Sequence, residues 1–188
     1  MDAAKPMRAD ALRNREALIQ AARTVFEGGD ELRFDDFAKL AGVGTGTLYR
    51  HFPTREALVA AVYQHEVASL CDRARQLHAT LPAAQALAIF LREFVDYLEP
   101  RERLARTLAA LMATHSDEFS EGSRALEDAV TELVASGVAE GSIRRDANAG
   151  SVMMALHGVS GARDRPNWRA EADGLIALLV EGLRQTRR

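Results

Sequence analysis

Residues 33–55 read RFDDFAKLAGVGTGTLYRHFPTR, and the fold follows from how this run divides. Phe34, Phe37, Ala38 and Ala41 recur at the three-and-four spacing of one helical face. Gly42 is placed to stop that helix, because glycine accepts the left-handed conformation that helix ends favour. Val43 supplies an apolar side chain for the inside of the turn. Thr45 is the expected N-cap of a second helix, and Thr47–Phe52 leaves room for barely two turns before Pro53 ends it. Thr54 then caps a long helix, with Glu56 in its first turn favoured by the helix dipole.

Two short helices joined by a glycine-bearing turn match a DNA-binding helix-turn-helix. The sorting of side chains on the second helix supports this. Leu48 and Phe52, four apart, face inward. Thr45, Gly46, Thr47, Tyr49, Arg50 and His51 cover the other faces and offer hydroxyls, a cation and a titratable ring. From Lys39 to Arg55 the chain carries Lys39, Arg50 and Arg55 and no acid, an excess that suits a phosphate-lined groove. Arg33 extends the basic set on the other side. The plainer reading is a helical corner in an ordinary bundle; the missing acids and the Tyr-Arg-His cluster argue against it.

The same stretch resembles the TetR (TetR/AcrR) family of transcriptional regulators. The resemblance is carried by Gly42-Val43-Gly44, by Thr47-Leu48-Tyr49-Arg50-His51-Phe52, and by Pro53-Thr54-Arg55-Glu56-Ala57-Leu58. It implies an all-α protein of about nine helices. A three-helix DNA-binding domain would precede a helical ligand-binding and dimerisation domain. It also implies that Thr47, Tyr49 and His51 hold phosphates while Thr45, Gly46 and Arg50 lie nearer base edges, with Arg55 on a phosphate at the head of the long helix.

Composition sets the class. The chain has 188 residues, 47% apolar and 27% charged, the profile of a globular protein with length enough for a real core. Its net charge of −3 argues against indiscriminate polyanion binding, so any nucleic-acid contact must come from a local patch. One cysteine, Cys71, excludes an internal disulfide and fits a reducing compartment. No run approaches the ~18 apolar residues of a membrane span, and a cytoplasmic protein is expected.

The rest of the chain reads as helices. Residues 1–9, with Lys5 and Arg8 around Pro6, are expected to form a flexible arm. Leu12, Leu18, Ile19, Ala22, Val25 and Phe26 mark a first helix over about 10–26, in which Arg13 and Arg15 are outlying phosphate candidates. The domain border is expected at 53/54, with residues 54–188 forming the second domain. Leu58, Val59, Val62, Val67 and Leu70 stripe the long helix to about Leu77. Further helices follow over about 83–98, 101–114, 118–139, from a cap at Asp146 to Gly161, and from a cap at Asn167 onward. The resemblance places an effector cavity among these, with Phe90, Phe94, Leu108, Met112, His115, Leu126, Val130, Met153 and His157 as lining candidates. It implies a homodimer through the last two helices, with Val152, Leu156, Val159, Trp168, Leu175, Ile176, Leu179 and Leu183 as interface candidates. Ordinary core packing explains each of these residues equally well.

Catalysis is the competing class, and nothing supports it. Cys71 and His78 lie two turns apart on one helix, about 10 Å, too far for direct activation. No metal-ligand spacing, P-loop or nucleophile elbow occurs, and no cofactor is expected. The remaining alternative is a helical adaptor without DNA binding. The partners expected are double-stranded DNA with a pseudo-palindromic operator, a small and largely apolar effector, and a second copy of the chain.

Overall fold

The computed structural model describes residues 4–28, 32–99 and 116–185, the side chains of 4–8, 27–28 and 116–120 excepted. Within them the chain is all-α, with eight helices: α1 (Ala4–Gly28), α2 (Asp36–Leu40), α3 (Thr45–His51), α4 (Arg55–Thr80), α5 (Ala83–Leu98), α6 (Ser116–Ala139), α7 (Ala149–Gly161) and α8 (Trp168–Leu183). The helix expected over 101–114 lies outside the described residues. Among those described, no helix is long and apolar enough to cross a membrane.

The first helix is longer than its apolar stripe suggests. It begins at Ala4, so the stretch read as an arm is helical from there. Pro6 lies in the first turn, where the missing N–H has no helical acceptor to lose. Leu12, taken as part of the stripe, is instead exposed.

Capping follows the sequence in part. Gly42 ends α2 with φ +67, and Gly141 ends the turn after α6 with φ +72; only glycine adopts these values without strain. Thr54 caps α4 by accepting a hydrogen bond from the Ala57 N–H at 3.1 Å. Two caps differ from expectation. Gly44, extended at ψ 151, holds the N-cap position of α3, so Thr45 is its first residue. Asn148, not Asp146, caps α7, its Oδ1 accepting from the Gly150 N–H at 2.7 Å. Asp146 is engaged by Arg144, two residues away, through both carboxylate oxygens.

Two apolar cores form, and α4 serves both. Leu18, Ile19, Ala22, Phe26, Phe37, Ala38, Leu48 and Phe52 pack with Leu58, Val59, Ala61 and Val62 of α4. Val67, Cys71, Ala74 and Leu77, farther along α4, pack with α5, α6, α7 and α8. The change from one core to the other therefore falls near residues 63–66, inside α4. The reason is geometric: the roof of a three-helix unit must be apolar, and the first two turns of α4 provide that surface.

At the junction sits a buried carboxylate. Glu66 is only 3% exposed. Its Oε1 lies 2.8 Å from Nε of Arg23 on α1, and its Oε2 accepts a hydrogen bond from the Tyr97 hydroxyl on α5. One step away, His65 Nε2 lies 3.2 Å from Glu16 Oε1, a second polar tie between α4 and α1. Both sit where the apolar faces of the two cores stop.

Candidate nucleic-acid interface

The geometry of α3 is set from behind. Leu48 is fully buried and Phe52 nearly so, which anchors one side of the short helix on α1 and α2. Phe26 and Phe37 meet at 6.0 Å between ring centroids and form the floor. The Arg15 guanidinium lies 5.3 Å above the Phe52 ring, a cation–π contact behind the helix. Arg15 thus braces α3 from behind, and Arg13 forms an ion pair with Asp10 in its own helix.

With Leu48 turned in, Thr45, Gly46, Tyr49 and Arg50 are exposed, while Thr47 and His51 are half-buried. Nothing lies within 4 Å of where a Cβ on Gly46 would stand, so the backbone of the first turn is open to a surface approaching from outside. Arg33 and Lys39 are exposed at the flank, with Lys39 Nζ 2.8 Å from Asp36. That bond holds the Asp36 carboxyl below its ordinary range.

Two of the expected contact residues also have partners within the protein. Tyr49 is 49% exposed, but its hydroxyl donates to Asp35 Oδ1 at 2.9 Å and its ring meets Phe34 edge-on at 5.4 Å. The bond to Asp35 pushes the phenol above its ordinary pKa, so it stays protonated. Its single O–H proton is engaged within the protein, and what it offers outward is its ring. Arg55 was expected on a phosphate. It is half-buried, donates through Nη1 to the Leu32 carbonyl at 2.8 Å, and lies 5.7 Å over the Phe37 ring. The head of α4 is thereby latched to the segment leading into α2.

Phe34 and Asp35 as positioners of Tyr49 were missed, since fourteen residues of separation leave no local signal. Glu66 did leave one: it follows Val62 by four residues and so falls on the apolar face, where a charge demands a partner.

Of the residues expected to line a cavity, Phe90, Phe94, Leu126, Val130 and Met153 are brought together in one core, with the Phe90 and Phe94 rings 6.5 Å apart. Leu108, Met112 and His115 lie outside the described residues. His157 is exposed on α7 and faces away from that core.

The expected dimer stripe is mostly internal. Val152, Leu156, Val159 and Ile176 are buried within the chain, and Leu179 and Leu183 are half-buried. Trp168, also half-buried, donates its indole N–H to the Val159 carbonyl at 2.7 Å. Leu175 alone of the set is exposed, at 41%. Other outward apolar side chains are Met154 on α7, 75% exposed, and Leu178 on α8, 74% exposed. A periodic stripe marks the side a helix buries; here that side belongs to the chain's own core.

Cys71 is buried, and burial pushes its thiol above the ordinary range, the opposite of an activated nucleophile.

Comparison with known proteins agrees with this arrangement. Residues 18–62 match the model of the bacterial regulatory proteins of the tetR family, and residues 82–185 match that of the SbtR-like transcriptional regulator C-terminal domain. The TetR transcriptional regulator SCO0520 of Streptomyces coelicolor is 39% identical, with a TM-score of 0.71 over 92% of this chain and 99% of that one. A TetR regulatory protein of Mycobacterium vanbaalenii is 30% identical, with a TM-score of 0.70 over 95% and 99%. Among curated sequences, the HTH-type transcriptional regulator SAR0097 of Staphylococcus aureus is 28% identical over 98 residues, 49% of this chain. The chain spans about half the length of such curated relatives. With both halves matched and α3 presented by an N-terminal helix-turn-helix, the chain belongs to the TetR family of transcriptional regulators.

Proposed function

We propose that the chain is a homodimeric repressor that binds a pseudo-palindromic operator through α3 and is released from it by a small, largely apolar effector. The observation that carries the reading is the division of α3 into a buried Leu48 side and an exposed, acid-free side bearing Thr45, Gly46, Tyr49 and Arg50. Arg50 is the candidate for a guanine edge. The ring of Tyr49 and the methyl of Thr47 are candidates for thymine methyls. Arg33, Lys39, His51 and the donors of Arg55 not engaged by Leu32 supply phosphate contacts. Two copies paired through Met154, Leu175 and Leu178 would present their reading helices about 34 Å apart, one turn of duplex. The apolar set Phe90, Phe94, Leu126, Val130 and Met153 is the surface from which an effector cavity would be made.

Release follows from population shift. An effector that prefers a different disposition of α4 changes the spacing of the reading helices, and a differential affinity of ~2–3 kcal/mol lowers operator affinity ~30- to 100-fold. Selection of genomic fragments on the purified protein, followed by footprinting, tests the DNA reading. The expected result is a two-fold symmetric site. Arg50→Ala should weaken binding and relax sequence choice, and Tyr49→Ala should weaken binding. No enriched fragment, or an affinity that neither change alters, overturns it.

A further inference from the structure

We propose that a groove between the first half of α5 and the end of α8 binds a small monocarboxylate amphiphile, anchored by Arg92. The groove has a volume of about 310 Å³, at the small end of ligand sites, which run from about 300 to 1,000 Å³. Its floor is the buried pair Leu87 and Ile143, and Ile89, Val180 and Leu183 wall it. Leu87, Ile143 and Val180 belong to the same core as Phe94, Leu126 and Met153, but none of the side chains the effector reading uses lines the groove, and the proposal does not depend on that reading.

The site is built rather than frayed. The segment after α6 and the exit of α8 are joined by two backbone hydrogen bonds, from the Arg144 N–H to the Leu183 carbonyl at 2.9 Å and from the Gln185 N–H to the Ser142 carbonyl at 3.2 Å. They fix Ile143, which lines the groove, against the exit of α8. Val180 follows Leu178 by two residues, about 200° around the helix. Pairing of two chains through the Leu178 face therefore leaves the groove open.

Charge chooses the occupant. Arg92 and Arg184 line the groove and no carboxylate does. Arg73, Arg75, Arg144, Arg165, Arg169 and Arg184 each form an ion pair with an acid. Among the described residues Arg92, which is exposed, has no such partner, as Arg15, Arg33, Arg50 and Arg55 have none; of these it is the one that lines the groove. An unmatched guanidinium beside an apolar trough suits a carboxylate, which it can hold with two parallel N–H bonds, joined to an apolar body. From Gln85 to Arg92 the groove follows about 10 Å of helix, the reach of a chain of about eight carbons.

Octanoate, titrated into the full chain below its micelle concentration, is the probe, with octanol and octylammonium as controls. Isothermal titration should give one octanoate per chain, at least tenfold tighter than either control. In the unmodified protein, the methyl resonances of Ile89 and Ile143 should shift with the same affinity. Arg92→Gln should weaken octanoate about tenfold and leave octanol unchanged. Ala88→Trp, on the groove wall, should abolish both binding and shifts while the far-ultraviolet dichroism stays native. Equal affinity for octanol, or octanoate binding that leaves Ile89 and Ile143 unmoved, overturns the proposal.

Discussion

Glu66 offers a perturbation whose size follows from its surroundings. Its side chain is 4% exposed and that of Arg23 is 31% exposed, so the ion pair between α1 and α4 is largely shielded from water. Removing one partner of such a pair leaves an uncompensated buried charge, at a cost of about 3–5 kcal/mol when both are deeply buried. Arg23 retains some solvent, so Arg23→Met should fall near the lower end, about 3 kcal/mol. For a chain of this length, that is a fall of roughly 6–12 °C in Tm. Tyr97→Phe deletes one hydrogen bond to a charged acceptor and should cost about 1.5–3 kcal/mol. Replacing the pair together, Arg23→Met with Glu66→Met, removes the stranded charge and should cost less than Arg23→Met alone. Urea unfolding of the parent, Arg23→Met, Glu66→Met and the double variant, followed by circular dichroism, measures the coupling. Additive effects, or Arg23→Met and Tyr97→Phe each within 0.5 kcal/mol of the parent, would refute the view that this carboxylate binds α1 and α5 to α4.

Three further outcomes are expected. Gly46→Ala should raise stability by up to about 1 kcal/mol, because a Cβ there meets nothing, yet weaken operator binding because it fills the open backbone; unfolding and gel-shift titrations read the two signs separately. Gly137→Ala would bring a Cβ to 2.5 Å from Ile143 Cδ1, an overpacking that should cost about 1–3 kcal/mol in an unfolding titration. Leu178→Glu, which changes an exposed position, should leave the far-ultraviolet spectrum native but convert a dimer to monomer in sedimentation and weaken DNA binding.

What the sequence made legible was what local chemistry decides. The turn at Gly42, the inward Leu48 and Phe52, and the cap at Thr54 rest on φ preference, periodicity and a hydrogen bond three residues away. The all-α class followed from the same periodicity. What depends on distant chain was not legible. Asp35 accepts a hydrogen bond from Tyr49 across fourteen residues and the Leu32 carbonyl accepts one from Arg55 across twenty-three, and no local pattern announces either contact. The last two helices were harder to read for a different reason. Apolar periodicity reports that a helix buries a side without saying against what, and Met154 and Leu178, outside the expected stripe, are turned outward.

The sharing of α4 between two cores has a consequence for dissection. A fragment severed after residue 53 would keep the reading helix but lose Leu58, Val59, Ala61 and Val62, the lid over Phe37 and Leu48. Its floor would be wet, and its recognition surface would have nothing rigid behind it. The smallest autonomous reader must reach past Val62, and stopping short of Glu66 also spares it a stranded anion. The same rod that closes one unit opens into the other, so a cut within it exposes apolar surface on both sides.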